Sequence, residues 1–186
     1  MEGNIDERLD RVRELLKDPD FLEGNGLSNE VNIRMFCYEA KDEMRVRHFT
    51  GQIMADQSLP CHLIEKNLYE IFLSVCEDKR ILPRMADMEA KKGKENLQKQ
   101  IEKAVSVQAY VDKICDREPE KGDVITLTGI GDVFPFMRIH MVLEALQPRV
   151  GRVPILVMYP GTFDGRHVKL FDRLPANPYY RAFNVI

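Results

Sequence analysis

The chain has 186 residues, of which 44% are hydrophobic, and its 27 Lys and Arg residues against 30 Asp and Glu give a formal net charge of −3. This length suits one globular domain with a real core, and the charge balance argues against a broad nucleic-acid footprint. The acidic, helical N-terminus lacks the apolar core of a signal peptide, and no apolar run approaches the length of a membrane span. We therefore expect a cytoplasmic protein without membrane contact.

The four cysteines are far apart and lie in apolar or helical segments: Cys37, Cys61, Cys76 and Cys115. No CxxC pair and no Cys/His ligand spacing is present. This pattern predicts buried free thiols in a reducing compartment and no metal site.

The first third of the chain alternates helical and strand patterns. Apolar residues at helical spacing predict a helix over residues 5–16, followed by a loop rich in Gly, Pro, Asn and Asp that extends to residue 30. A strand is predicted over residues 31–38, and Asp42 is a plausible N-cap for a helix that ends near residue 55. A short second strand is predicted over residues 60–65, and Asn67 can cap the helix after it.

A charged helical insertion is predicted over residues 79–117. Gly93 separates a short helix from a longer one, which places apolar residues on one face with Gln108 interrupting the stripe: Leu97, Ile101, Ala104, Val111 and Cys115. The pattern is typical of a solvated surface helix, and a helix that docks onto a partner is the alternative.

The second half predicts a strand–helix–strand unit. The runs DVITLTGI and VPILVMYP are continuously apolar and β-branched, as expected of central strands covered on both faces. A helical pattern links them, so the two strands should be parallel with a right-handed crossover. The ending YYRAFNVI is predicted to be a last strand. We expect a single α/β domain over residues 1–186, with an N-terminal helix and loop over residues 1–30. Its fold would be three-layer: a mostly parallel sheet of about five strands, helices on both faces, and the helical insertion between the second and third strands.

The stretch LTGIGDVFPFMRIH, residues 127–140, places two glycines between a strand and a helix. It has neither the Lys and Ser/Thr of a P-loop nor the third glycine of a dinucleotide fingerprint. We expect Gly129 and Gly131 to make the turn, Asp132 to be the N-cap of the next helix and Pro135 to lie in its first turn. Free N–H groups at a helix start leave anion binding as an alternative.

The stretch YPGTFDGRHVKLF, residues 159–171, predicts a hairpin or glycine-hinged loop at the carboxyl end of a central strand. Binding sites in open α/β sheets form at that edge. The residues that follow give the last quarter of the chain a basic bias: Arg166, His167, Lys169, Arg173 and Arg181. A solvated surface hairpin is the plain alternative to a binding loop.

No complete catalytic motif is present, neither a nucleophile elbow nor HExxH nor a carboxylate pair at a useful spacing. Arg138 and His140 lie two residues apart and therefore point in different directions. No Ser, Cys or Asp lies at an identifiable motif spacing from His140, which favours a structural or surface histidine over a catalytic base. We therefore expect a protein that is not an enzyme and needs no cofactor.

Three blocks of the chain resemble the BrxB family, a small component of BREX bacteriophage-exclusion systems: LTGIGDVFPFMRIHMVLEALQ, VPILVMYPGTFDGRHVKLFDRL and NPYYRAFNVI. The stretch GLSNEVNIRMFCYEAKDEMRVR resembles the family more loosely. The resemblance implies that the protein acts together with other BREX components, which include a PglZ-type alkaline-phosphatase-superfamily protein, an adenine methyltransferase and a large ATPase. It supplies no catalytic residue, and it makes the PglZ-type protein the first partner to expect.

The resulting hypothesis is a non-catalytic binding or scaffold subunit of a BREX complex. Because aromatic residues and Arg anchor interfaces, we expect the partner contacts to be Phe134, Phe136, Phe163, Arg166 and Arg173. The alternative is a regulatory domain that binds a nucleotide or phosphate around Gly129, Gly131, Gly161 and Gly165. A second alternative is a DNA-binding accessory protein that uses the basic last quarter, although the overall charge argues against direct nucleic-acid binding.

Overall fold

The computed structural model describes residues 3–24, 32–164 and 166–175, together with the backbone of two short strands at 177–178 and 183–184. A sheet lies at its centre, with strands β1 Ile33–Tyr38, β2 His62–Asn67, β3 Asp123–Thr128, β4 Ile155–Phe163, β5 His167–Leu170, β6 Asn177–Pro178 and β7 Phe183–Asn184. The order β2-β3-β4-β1-β7 is parallel throughout, and β5 and β6 extend it as antiparallel strands. The predicted α/β fold with a mostly parallel sheet is confirmed.

Strands β3 and β4 are parallel neighbours, with Ile125 opposite Ile155 and Leu127 opposite Val157. Every residue of β3 is buried, as are the first seven of β4. Their continuous apolar pattern arises because both faces of the sheet are covered.

Helices α1 Ile5–Leu15, α2 Pro19–Glu23 and α3 Glu43–Ala55 cover one face of the sheet. Val12 and Phe49 from these helices share a buried cluster with Phe36 and Leu156 from the strands. Alternate residues of the same strands, such as Met35 and Val157, point to the other face because successive side chains of a strand alternate.

The second face carries helices α4 Leu68–Asp78, α5 Met85–Lys92, α6 Lys94–Ala104, α7 Val107–Ile114, α8 Ile130–Val133 and α9 Ile139–Val150. Phe72, Tyr110 and Leu143 are buried there in the larger of the two clusters. Helices on both faces, and helices between β2 and β3, were predicted and are confirmed. Within the described ranges, no helix combines the length and the apolar character needed to cross a membrane.

Several element boundaries differ from the sequence predictions, among them those of β2 and of the helix after Gly93. Strand β2 begins at His62 and ends at Asn67, two residues later than predicted, and the side chain of Asn67 caps α4 as expected by accepting from the N–H groups of Tyr69 and Glu70. The long helix predicted after Gly93 is two helices, because Ser106 is extended and its hydroxyl caps α7 by accepting from the Ala109 N–H group at 3.2 Å.

The predicted N-cap at Asp132 is wrong. Gly129 adopts a left-handed conformation and starts the one-turn helix α8, so Asp132 lies inside that helix. Phe134 is extended, since a residue before proline is disfavoured in the helical region, and this ends α8 at Val133. Pro135 follows a cis peptide bond, and α9 begins at Ile139 with Arg138 as its N-cap.

Candidate functional site

The two glycine-containing stretches singled out in the sequence lie against each other at the carboxyl edge of the sheet. A Cβ atom on Gly131 would lie 2.9 Å from two ring atoms of Phe171, so the ring sits directly on the glycine. Phe171 follows β5, and its N–H group donates to the carbonyl of Pro160 at 2.8 Å. We call residues 129–138 the corner, residues 159–173 the hairpin, and their combined surface the corner–hairpin surface.

Phe134 lies at the junction of the corner and the hairpin. Its ring is half-buried, with the guanidinium carbon of Arg138 5.6 Å from the ring centroid. Both residues line a small crevice with Val168 and Leu170 of β5. The half-buried ring therefore has a cation over it, and the pair offers an apolar and a positively charged group side by side.

Phe136 belongs to a row of stacked aromatic rings rather than to a free surface. Its ring lies 4.7 Å from that of Phe72, which in turn lies 6.0 Å from that of Tyr69. Phe72 is buried and Tyr69 is 38% exposed, so the row runs from the core to the surface. The sequence pattern indicated Phe136 but not Tyr69 and Phe72, because α4 and the corner are more than 50 residues apart in the chain.

The turn of the hairpin is organised by Asp164. Its carboxylate accepts from the N–H groups of Arg166 at 2.8 Å and His167 at 2.7 Å, and these donors lower the pKa of Asp164. Phe163 is half-buried in β4, whereas Arg166 and Arg173 are exposed. Of the predicted contacts, Phe134 thus lies on the corner, and Phe163, Arg166 and Arg173 lie on the hairpin. These two segments pack against each other.

Three of the four glycines proposed as an anion site are closely covered by protein atoms. A Cβ on Gly129, which has a φ of +68°, would lie 2.1 Å from Oδ1 of Asn67, and one on Gly161 would lie 2.2 Å from the carbonyl oxygen of Lys169. Phe171 covers Gly131 in the same way. These three glycines therefore permit close packing; the fourth, Gly165, is outside the described residues, as is Arg181.

A polar cleft of about 210 Å³ lies beside the corner, at the carboxyl ends of β1, β2 and β3. Tyr38, Asn67 and Thr128 are the last residues of those strands, and Glu43 and Arg47 project from α3. The helix after β1 covers one face of the sheet, and the helices after β2 and β3 cover the other. The cleft therefore lies at the kind of switch point where α/β sheets place their binding sites.

Glu43 is the centre of the charged network in this cleft. Its carboxylate accepts from the hydroxyl of Tyr38 at 2.8 Å and from Nε of Arg47 at 2.7 Å. Burial and the nearby charge of Glu43 raise the pKa of Tyr38, and the hydrogen bond to Glu43 raises the pKa of Arg47. Tyr38 thus remains a protonated donor and Arg47 a permanent cation.

Arg47 also forms an ion pair with Asp132, the residue predicted to be an N-cap. This contact joins α3 on one face of the sheet to the corner on the other. On the opposite wall the hydroxyl of Thr128 donates to Glu65 at 2.7 Å. The network holds the corner in place and leaves carboxylate oxygens and hydroxyl groups facing the cleft.

Sequence reasoning missed this network. Glu43 and Arg47 stand four residues apart just after the first strand, a spacing that places them on one side of a helix near the carboxyl edge, and this is the signal that could have drawn attention to them. Asp132 could not have been paired with them, because 85 residues separate it from Arg47. Within the described part of the chain, no group of three or more His, Cys, Asp and Glu side chains is arranged to hold a metal ion.

Comparison with known proteins identifies one family. The family model "BREX protein BrxB" matches residues 64–185. A Bacillus cereus (strain H3081.97) protein named "BREX protein BrxB" is 37% identical over 190 aligned residues, covering 98% of this chain and 97% of its own length. An Escherichia coli O9:H4 (strain HS) protein of the same name is 27% identical over 183 residues, covering 98% of this chain and 92% of its own length. No solved structure matches the chain.

Proposed function

The chain belongs to the BrxB family of BREX proteins, and on that premise we propose that it is a non-catalytic binding subunit of a BREX phage-defence complex that associates with the PglZ-type alkaline-phosphatase-superfamily protein. The corner–hairpin surface is the proposed contact. The observation that carries the proposal is the packing of Phe171 on Gly131, which joins two separate segments into one surface.

The composition of this surface suits protein binding. Phe163 is half-buried and packs against the core, and Phe134 is half-buried at the crevice that β5 lines, so both residues still offer apolar area to a partner. Arg166 and Arg173 are exposed on the hairpin, and the guanidinium group of Arg138 lies over the ring of Phe134. Aromatic residues and Arg dominate binding energy at interfaces, particularly where the ring is already ordered before binding.

The network behind the surface supports the same role. Arg47 holds Asp132, and Asn67 fills the space beside Gly129, so the corner is fixed from two directions. A pre-formed surface loses little conformational freedom on association. We infer that the polar cleft positions the corner for this binding.

Co-expression of the chain with the PglZ-type protein of the same system tests the assignment. The two proteins should co-elute from a size-exclusion column as a complex. Separate elution of the two purified, folded proteins at micromolar concentration would remove this partner from the proposal.

A further inference from the structure

The charge of this protein is divided unevenly between residues 79–104, the first part of the helical insertion, and the rest of the chain. Residues 79–104 contain eight of the 27 Lys and Arg residues and four of the 30 Asp and Glu residues. This segment therefore has a net charge of +4, and the remainder of the chain has a net charge of −7. Residues 79–104 are therefore a local basic region in a chain whose formal net charge is −3.

The basic side chains of this segment are available to a ligand. They are Lys79, Arg80, Arg84, Lys91, Lys92, Lys94, Lys99 and Lys103, and all eight residues are exposed. Not one of them forms an ion pair with any residue in the described ranges. Elsewhere, cations such as Arg13, Lys66 and Arg117 are paired with carboxylates.

Three of these lysines cluster at the turn between α5 and α6. Lys91 and Lys92 end α5, Gly93 makes the turn with a φ of +77°, and Lys94 begins α6. Nothing lies within 4 Å of the position that a Cβ on Gly93 would take, so the turn projects into open space. We call Lys91, Lys92 and Lys94 the lysine tip.

We propose that the helical insertion is a second binding site, distinct from the corner–hairpin surface, and that it contacts the phosphate backbone of duplex DNA without reading its sequence. Lysine ammonium groups act as point charges toward phosphate, and such contacts release condensed counterions and supply the sequence-independent part of DNA affinity.

The composition of residues 79–104 favours this ligand over other acidic surfaces. The segment contains no Phe, Tyr or Trp and six of its eight cations are lysines, whereas protein interfaces are enriched in aromatic residues and depleted in Lys. A membrane-binding helix would expose an apolar face, but Met85, Met88 and Leu97 are half-buried, and Met85 and Leu97 pack against the core. Single strands are bound by stacking on aromatic rings, which the segment lacks.

Fluorescence anisotropy with a labelled duplex DNA of random sequence tests the proposal. The full chain should bind weakly at about 50 mM salt, and binding should fall steeply toward about 200 mM because phosphate contacts depend on salt. The triple variant K91E/K92E/K94E should bind at least about tenfold more weakly, and the salt slope should fall by about two to three units, one for each lost phosphate contact.

The matched control is R166E/K169E/R173E, which changes the charge of the chain by the same amount at exposed positions of the hairpin. Its affinity for duplex DNA should stay within about twofold of that of the unmodified chain, because the DNA contact is assigned to the insertion. Circular dichroism and thermal unfolding serve to check that both variants remain folded. The inference is overturned by no binding at low salt, by an unchanged tip variant, by equal losses in the two variants, or by tighter binding of the single strand. Displacement of the duplex by an oligoglutamate peptide at equal charge concentration would also overturn it, in favour of an acidic protein.

Discussion

The side-chain oxygen Oδ1 of Asn67 lies 2.1 Å from the point where residue 129 would place a Cβ atom, so Asn67 and Gly129 can occupy their positions only because residue 129 is a glycine. The same oxygen accepts from the first N–H groups of α4. The end of β3, the start of α4 and the corner therefore meet at one point.

Replacing Gly129 with Ala should destabilise the protein by about 2–4 kcal/mol, because the left-handed backbone is strained for Ala and the new methyl group displaces the cap of α4. The free energy of unfolding in urea measures this change. Gly51→Ala is the control: it lies inside α3 with nothing within 4 Å of the new Cβ, and should be neutral or stabilising by up to about 1 kcal/mol. Equal effects at the two positions would contradict the packing described here.

Loss of the Ser106 cap should lower the free energy of unfolding by less than Gly129→Ala does. Ser106→Ala removes the acceptor for the Ala109 N–H group and should cost about 1 kcal/mol of unfolding free energy. Ser106→Asp keeps an acceptor at the same position and should retain most of the stability. If the Ala and Asp variants unfold alike, the hydroxyl does not cap α7.

Asp123 predicts a loss of stability in acid. Its side chain is buried, and burial alone raises the pKa of this carboxyl group. The carboxylate also interacts with the Glu120 N–H group, His62 and Arg117. These interactions outweigh burial, so the pKa of Asp123 is lowered. A lowered pKa means that the native state favours the carboxylate. This contribution is complete above about pH 5 and is lost as the pH falls through the folded pKa, below about 4.

Asp123→Asn should therefore cost about 2 kcal/mol near pH 7, and the deficit relative to the unmodified chain should shrink toward about pH 3. Urea unfolding at a series of pH values measures it. The exposed Asp87→Asn, on α5, is the control and should stay within about 0.5 kcal/mol at each pH. A deficit at Asp123 that does not change with pH would show that its charge is not the stabilising feature.

The cysteines should differ in reactivity. Cys37 is buried, and burial raises the pKa of its thiol to about 12, while Cys61 and Cys115 are only half-buried. Because the thiolate is the reactive form, alkylation of the native protein near pH 8 should label Cys61 and Cys115 before Cys37 and Cys76. Peptide mass spectrometry identifies the labelled sites, and early labelling of Cys37 would contradict its burial. The prediction of buried thiols from sequence holds for Cys37 and Cys76 but not for the two half-buried positions.

Local signals predicted much of this fold. The continuous apolar runs identified β3 and β4 as central parallel strands, and Asn67 was recognised as a cap because Asn directly before an apolar helical pattern is a strong N-terminal signal. The break at Ser106 was missed because apolar residues at helical spacing lie on both sides of it, with Ala104 before it and Val111 after it. The cap at Asp132 was wrong because the conformation of Gly129 starts the helix earlier than the acidic residue suggests.

The candidate site was only partly predictable, because its contacts join distant segments. The corner and the hairpin were each predicted from local sequence. The local sequence pattern does not predict three contacts between distant segments: Phe171 with Gly131, Phe136 with Phe72, and Arg47 with Asp132. Each depends on how helices pack on a sheet, and a helical or strand pattern specifies a buried face without specifying its partner.

The central claim is that the corner–hairpin surface binds the PglZ-type protein, and the binding affinity of the purified proteins tests it most directly. The affinity is measured for the unmodified chain, for R166E/R173E, and for K91E/K92E, a control with the same change of charge on the insertion. Tight binding by the unmodified chain, at least about tenfold weaker binding by R166E/R173E and unchanged binding by K91E/K92E are the results expected for the corner–hairpin surface. No binding by the unmodified chain, or a loss in K91E/K92E with R166E/R173E unaffected, would contradict it.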